Sequence, residues 1–142
     1  MAHAADGVVD FVVTTLTGLT TTGSNVFRRR VYDVPDANLP ALIINMGADT
    51  ARGDSGRANI AYIDSDLEVN IVIMAKDSDD LDGTLLDIRA EIDAAFSTAY
   101  ATKPATVLDY WWVSASEPET AESDTRKGAM GLVYNFAYRR AQ

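Results

Sequence analysis

Residues 61–76 read AYIDSDLEVNIVIMAK. Side chains on a strand alternate between two faces, so Ala61, Ile63, Leu67, Val69, Ile71 and Ile73 share one face. Tyr62, Asp64, Asp66, Glu68 and Asn70 share the other. Towards Val72 and Met74 both faces turn apolar. This pattern predicts one long strand that projects at its polar end and enters the core at its apolar end. A helix follows. Leu81, Leu85, Ile88, Ile92, Phe96 and Ala99 recur at helical spacing to about Tyr100, with Asp87, Glu91 and Asp93 on the solvated side. Ser78 is the predicted N-cap. Asp79, Asp80 and Asp82 suit the positive end of the helix dipole.

Upstream, ALIINMG at 41–47 is nearly continuous in apolar character and reads as a buried strand. The stretch GADTARGDSGRAN, 47–59, has three glycines and no periodicity, and reads as the tip of a hairpin joining these two strands. A first helix is predicted over 5–19, where Val8, Phe11, Val12, Leu16 and Leu19 form one stripe. Six threonines between Thr14 and Thr22 weaken it towards its end. Then comes VFRRRVYDV, 26–34, with neither face cleanly apolar; charged residues of this kind guard exposed sheet edges. Downstream, strands are predicted over 106–114 and 130–140, separated by the polar SEPETAESDTRKG, a second long loop or tip. Trp111 and Trp112 are adjacent, so one is expected to enter the core while the other looks outward. Together these elements predict a single α+β domain, 1–142: a mixed, largely antiparallel sheet of about five strands packed against two main helices, with long hairpin tips.

The composition narrows the function. The 142 residues carry 21 acidic and 12 basic side chains, a net charge of -9, and no basic stripe to neutralise a phosphate backbone. There is no cysteine, which removes thiol nucleophiles, disulfides and thiolate metal sites. No apolar run approaches the roughly 20 residues of a membrane span. The start, MAHAADG, lacks the basic and apolar segments of a secretory signal, so a soluble cytoplasmic product is expected.

Catalytic chemistry finds little to use. His3, the sole histidine, sits beside the terminus, so no Ser-His-Asp or Cys-His arrangement can be built. DSDDLDG at 77–83 resembles a calcium loop, but Leu81 falls at its fifth position and Ile88 at its twelfth, where a bidentate Glu is required. Asp64 and Asp66 form a DxD on one strand face without a third ligand. RGD at 52–54 matches an adhesion motif of three residues, short enough to arise by chance. No cofactor or metal is predicted, and the chain is not expected to be an enzyme. The features left over suit docking: an aromatic anchor at Trp112, basic residues Arg28, Arg30, Arg52 and Arg57, and acidic residues Asp64, Asp66, Glu68, Glu117 and Glu119 as their counterparts.

The order of elements, with LPALIINMG, the long strand leading through IVIMAK to a helix, and the closing GLVYNFAYRR, resembles the tail-terminator (minor tail, tail-completion) family of long-tailed bacteriophages and phage-like particles. The resemblance covers nearly the whole chain and rests on hydrophobic pattern and order. It implies a small α+β subunit, made in the host cytoplasm and placed in the virion tail or neck. There it would form a hexameric ring that caps the tail tube, stops its polymerisation and offers the head or neck a surface. Implied partners are copies of itself, the tail tube protein and neck or head-completion proteins; DNA may pass through the ring without sequence-specific contact. The alternatives are a neck or head-completion connector subunit and a small metal-dependent enzyme using Asp64 and Asp66.

Overall fold

The structure, a computed structural model, describes residues 3–28, 38–52, 62–76, 80–121 and 127–141. Its centre is the predicted long strand, β3 (Tyr62–Lys76), whose side chains alternate between exposed and buried along its length. β3 lies between two antiparallel neighbours, β2 (Ala41–Ala51) and β6 (Lys127–Ala141). Beyond β6 runs β4 (Val107–Ala115), with the short β5 (Glu119–Ala121) pairing further along the same strand. Beyond β2 lies β1 (Val26–Arg28), the one parallel neighbour among the described strands. The main path is therefore β1-β2-β3-β6-β4, a mixed and mostly antiparallel sheet.

Both helices cover one face of this sheet. α1 (Ala4–Leu16) contributes Val8, Val9, Val12 and Leu16, and α2 (Leu81–Ala99) contributes Leu85, Ile88, Ile92 and Phe96, to a core completed by Leu42, Leu67, Val69, Ile71, Leu132 and Phe136. Each such side chain removed from water stabilises the fold by roughly 1.5–3 kcal/mol. The opposite face carries a smaller cluster: Leu39, Ala41 and Ile43, with Phe27, Val72 and Met74 against them.

Several boundaries differ from the sequence expectation. α1 stops at Leu16, three residues before the end of its apolar stripe. Thr17 turns extended there while its hydroxyl and amide both donate to the Val13 carbonyl, and Gly18 follows at φ 94°, a conformation that opposes continuation. The N-cap of α2 is Asp80, whose carboxylate accepts from the Gly83 amide at 3.1 Å; Ser78 lies outside the described residues. β2 runs on to Ala51, so residues 47–51 are strand and not loop. Pairing with β3 overrides their loop composition, and Gly47 fits because a Cβ there would stand 3.1 Å from the Glu68 carbonyl oxygen. Likewise β5 and the first residues of β6 fall inside the stretch expected to be a polar loop. Residues 53–59 of the first expected tip and 122–126 of the second lie outside the described residues, as do 29–34 of the arginine run.

Candidate assembly surfaces

β4 is an edge strand, with β6 on one side and no strand on the other among the described residues. Its first half is ordinary: Val107 and Tyr110 point under the helices. Its second half is not. Trp111, Trp112 and Val113 are 42%, 46% and 45% exposed. The expectation that one tryptophan would be buried is therefore incorrect. Trp112 lies opposite Tyr134 on the helix side and Trp111 opposite Asn135 on the other side. Neither is sealed, because the strand is at the edge and its register shifts between Trp112 and Ser114.

The flank of α2 completes this surface. Phe96 packs its ring 4.5 Å from that of Tyr134 and 5.5 Å from that of Tyr110, forming the floor of a groove of about 440 Å³ beside the tryptophans. The Tyr110 hydroxyl donates to the Phe96 carbonyl, and the Tyr134 hydroxyl donates to Asp93. Burial pushes the Tyr110 phenol up to about 12, with Tyr100 and Asp109 adding to the effect. Burial, then the bond to Asp93, raises Tyr134 as well. Two cations ride on the exposed rings: the Arg89 guanidinium 5.1 Å above Trp112 and the Lys103 ammonium 4.5 Å above Tyr100. Leu86, 52% exposed, extends the apolar surface along α2. A mixture of exposed aromatics, arginine and aliphatic side chains is the composition of a protein interface core. Sequence reading had singled out Trp112 but missed Arg89, Tyr100 and Lys103. The available signal was the spacing of Leu86, Arg89 and Asp93, a second helical stripe beside the buried one.

Four of the charged residues expected to meet a partner, Arg28, Arg52, Asp64 and Asp66, are engaged within the chain. Arg28 forks onto α1, Nη2 at 2.7 Å from Asp6 and Nη1 at 2.9 Å from Asp10. Asp64 receives two bonds from Arg139, at 2.7 and 3.0 Å, and this bonding holds its carboxyl below the usual range. Asp66 accepts from Asn135 Nδ2 at 3.2 Å and stands 3.5 Å from Arg52. Glu68, Glu117 and Glu119 are exposed. Arg30 and Arg57 lie outside the described residues. The DxD is thus part of a cross-strand ion-pair row, and no three His, Cys, Asp or Glu side chains converge to hold a metal among the described residues. No described helix is long and apolar enough to cross a membrane.

No protein-family model matches the sequence, and no curated protein matches it. Solved structures do. One chain from the virion of a native gene transfer agent particle aligns over 98% of this chain and 100% of its own length, with a TM-score of 0.50 and 15% sequence identity. At that identity the likeness is one of fold.

Proposed function

We propose that this chain is a structural subunit of a phage-like virion, and more specifically a tail terminator whose copies close into a hexameric ring on the end of the tail tube. The observation that carries the reading is the end-to-end fold likeness to a chain of a gene transfer agent virion, with neither chain leaving a large remainder. The half-exposed Trp111, Trp112 and Val113, on an edge left unpaired among the described residues, support an assembling role, since an edge of this kind invites a neighbour. The role is one of binding without a chemical step. Closed rotational symmetry would satisfy both sides of every subunit and leave no lateral site for further growth.

The partners on this reading are other copies of the chain, the tail tube and a neck or head-completion protein, with the exposed Glu68, Glu117 and Glu119 available for the charged part of those contacts. Arg28, Arg52, Asp64 and Asp66 contribute to them only by exchanging partners they already hold. The test is deletion of the gene followed by electron microscopy of the particles. A terminator's loss gives tails of uncontrolled length without heads. Tails of normal length that lack heads would point to a neck connector instead, and intact particles would end the structural reading altogether.

A further inference from the structure

The groove between α2 and β4 is walled by described residues, and its charges are arranged along its length. The floor is aromatic, with Phe96 packed on Tyr110 and Tyr134. A cation stands at each end: Arg89 over the Trp112 ring, and Lys103 over the Tyr100 ring. The carboxylates beside them are bound to the walls. Asp93 accepts from the Tyr134 hydroxyl, and Asp109 accepts from the Tyr110 amide at 2.8 Å. The two cations make ring contacts, and no described carboxylate forms an ion pair with either. Their N–H donors are the unused hydrogen-bonding groups of the groove. The chain as a whole is acidic, at -9, but charges further off than about 8 Å are largely screened at physiological salt, so the near cations decide what enters. Arg89 and Lys103 are 14 positions apart. That is about 20 Å along the helix, the span of about six residues of extended chain.

We infer that this groove takes an extended acidic segment of another protein of the particle, with one carboxylate on Arg89, a second on Lys103 and an apolar side chain between them on the Phe96 floor. The inference rests on the virion reading for the source of that segment. A second copy of this chain fits less well. The register of β4 shifts near both of its ends, between Val107 and Asp109 and between Trp112 and Ser114, which twists the edge away from a long ladder with another edge. Among the described residues, moreover, every carboxylate except those of Asp80 and Glu117 sits in a helix or a paired strand, so a copy does not present a pair of them on an unpaired extended segment. The occupant is read by side chains in the groove: the aromatic floor supplies the apolar contact, and the two cations set the charge and the spacing.

The test uses the full chain and a library of peptides of about nine residues, randomised at every position. Selection is expected to enrich peptides with Asp or Glu at two positions about six apart and an apolar residue between them. Fluorescence of Trp111 and Trp112, the only two tryptophans, should shift to the blue as the best such peptide covers them. Arg89→Gln with Lys103→Gln should weaken its binding roughly tenfold. Arg89→Lys with Lys103→Arg keeps both charges and should bind nearly as well as the unmodified chain, and circular dichroism would verify that both double variants fold. Enrichment of basic or uncharged peptides, no enrichment at all, or undiminished binding by the glutamine variant would overturn the assignment. So would self-association of the unmodified chain, seen by sedimentation, that the glutamine variant abolishes, because the occupant would then be a second copy. The peptide measurements need no particles, so the groove chemistry and the virion role fail separately.

Discussion

Phe96→Ala is the most informative single perturbation of the fold beneath the aromatic edge. The Phe96 side chain is 2% exposed, and its ring meets those of Tyr134, Tyr110 and Phe136 at 4.5, 5.5 and 5.8 Å. It is the last buried residue of α2 and the main apolar contact holding that end of the helix onto β4 and β6. Replacing a buried phenylalanine by alanine costs about 3–5 kcal/mol, and the low end applies only where neighbours can collapse into the space. Here Tyr110 and Tyr134 are tethered by their hydroxyls to the Phe96 carbonyl and Asp93, which restrains them from following. The expected loss is therefore about 4 kcal/mol, a large part of the 5–15 kcal/mol of a typical domain. With a urea slope of about 2 kcal/mol/M, the midpoint should fall by about 2 M at constant slope. Far-UV circular dichroism is the suitable probe, because both tryptophans are already half in water in the folded chain. Leu86→Ala, on the exposed flank of the same helix, should change stability by no more than about 0.5 kcal/mol. A midpoint shift below about 0.5 M for Phe96→Ala would refute the assignment of the cluster as the clamp between α2 and the edge strand.

Two further outcomes follow from the charged and phenolic groups. Arg28→Glu should loosen the start of α1, because it sets a third carboxylate beside Asp6 and Asp10; hydrogen exchange at the first turn of α1 should rise while β3 amides keep their protection. Equal protection of α1 in the variant would remove Arg28 as its tether. The buried phenols of Tyr110 and Tyr138 are each held from 10.0 up to about 12, chiefly by burial and, for Tyr138, by its bond to Asp49. A raised folded-state value means that their stabilisation is complete below about pH 10 and is lost as pH rises through about 12. Urea midpoints should accordingly fall across that window, and Tyr138→Phe should flatten the decline; a flat profile in the unmodified chain would contradict the burial of both hydroxyls.

Where a residue's surroundings are local, the sequence was readable. The alternation along β3 and the stripe of α2 are properties of consecutive residues, and both elements form where the pattern puts them. The strands flanking the hairpin were harder, because residues 49–51 are held extended by β3, past a register shift at 47–48, and carry no strand signature of their own. Trp111 and Trp112 show the same limit from the other side. Period-two reasoning assigned them correctly to opposite faces, but which faces were covered depended on β4 being an edge with a register shift after Trp112. The acidic residues of β3 were legible as an exposed row. Their partners were not, since Arg139 is 75 positions away from Asp64 and meets it only through the β3–β6 register. A basic residue near an acidic one in space leaves no mark in a chain read end to end.

The β3–β6 ladder pairs Tyr62 with Ala141 and Lys76 with Lys127 without a single shift, and among the described strands β4 finds its hydrogen-bonding neighbour only in β6. The interior of the sheet is thus built from a strand that leaves the ribosome after every other described element. Until residue 141 is made, β3 has one bare side and the tryptophan-bearing strand has nothing to lie against, so contacts distant along the chain must close late. An edge that waits for β6 cannot recruit a neighbour before that strand is made, and the order of synthesis itself becomes a control on when assembly starts.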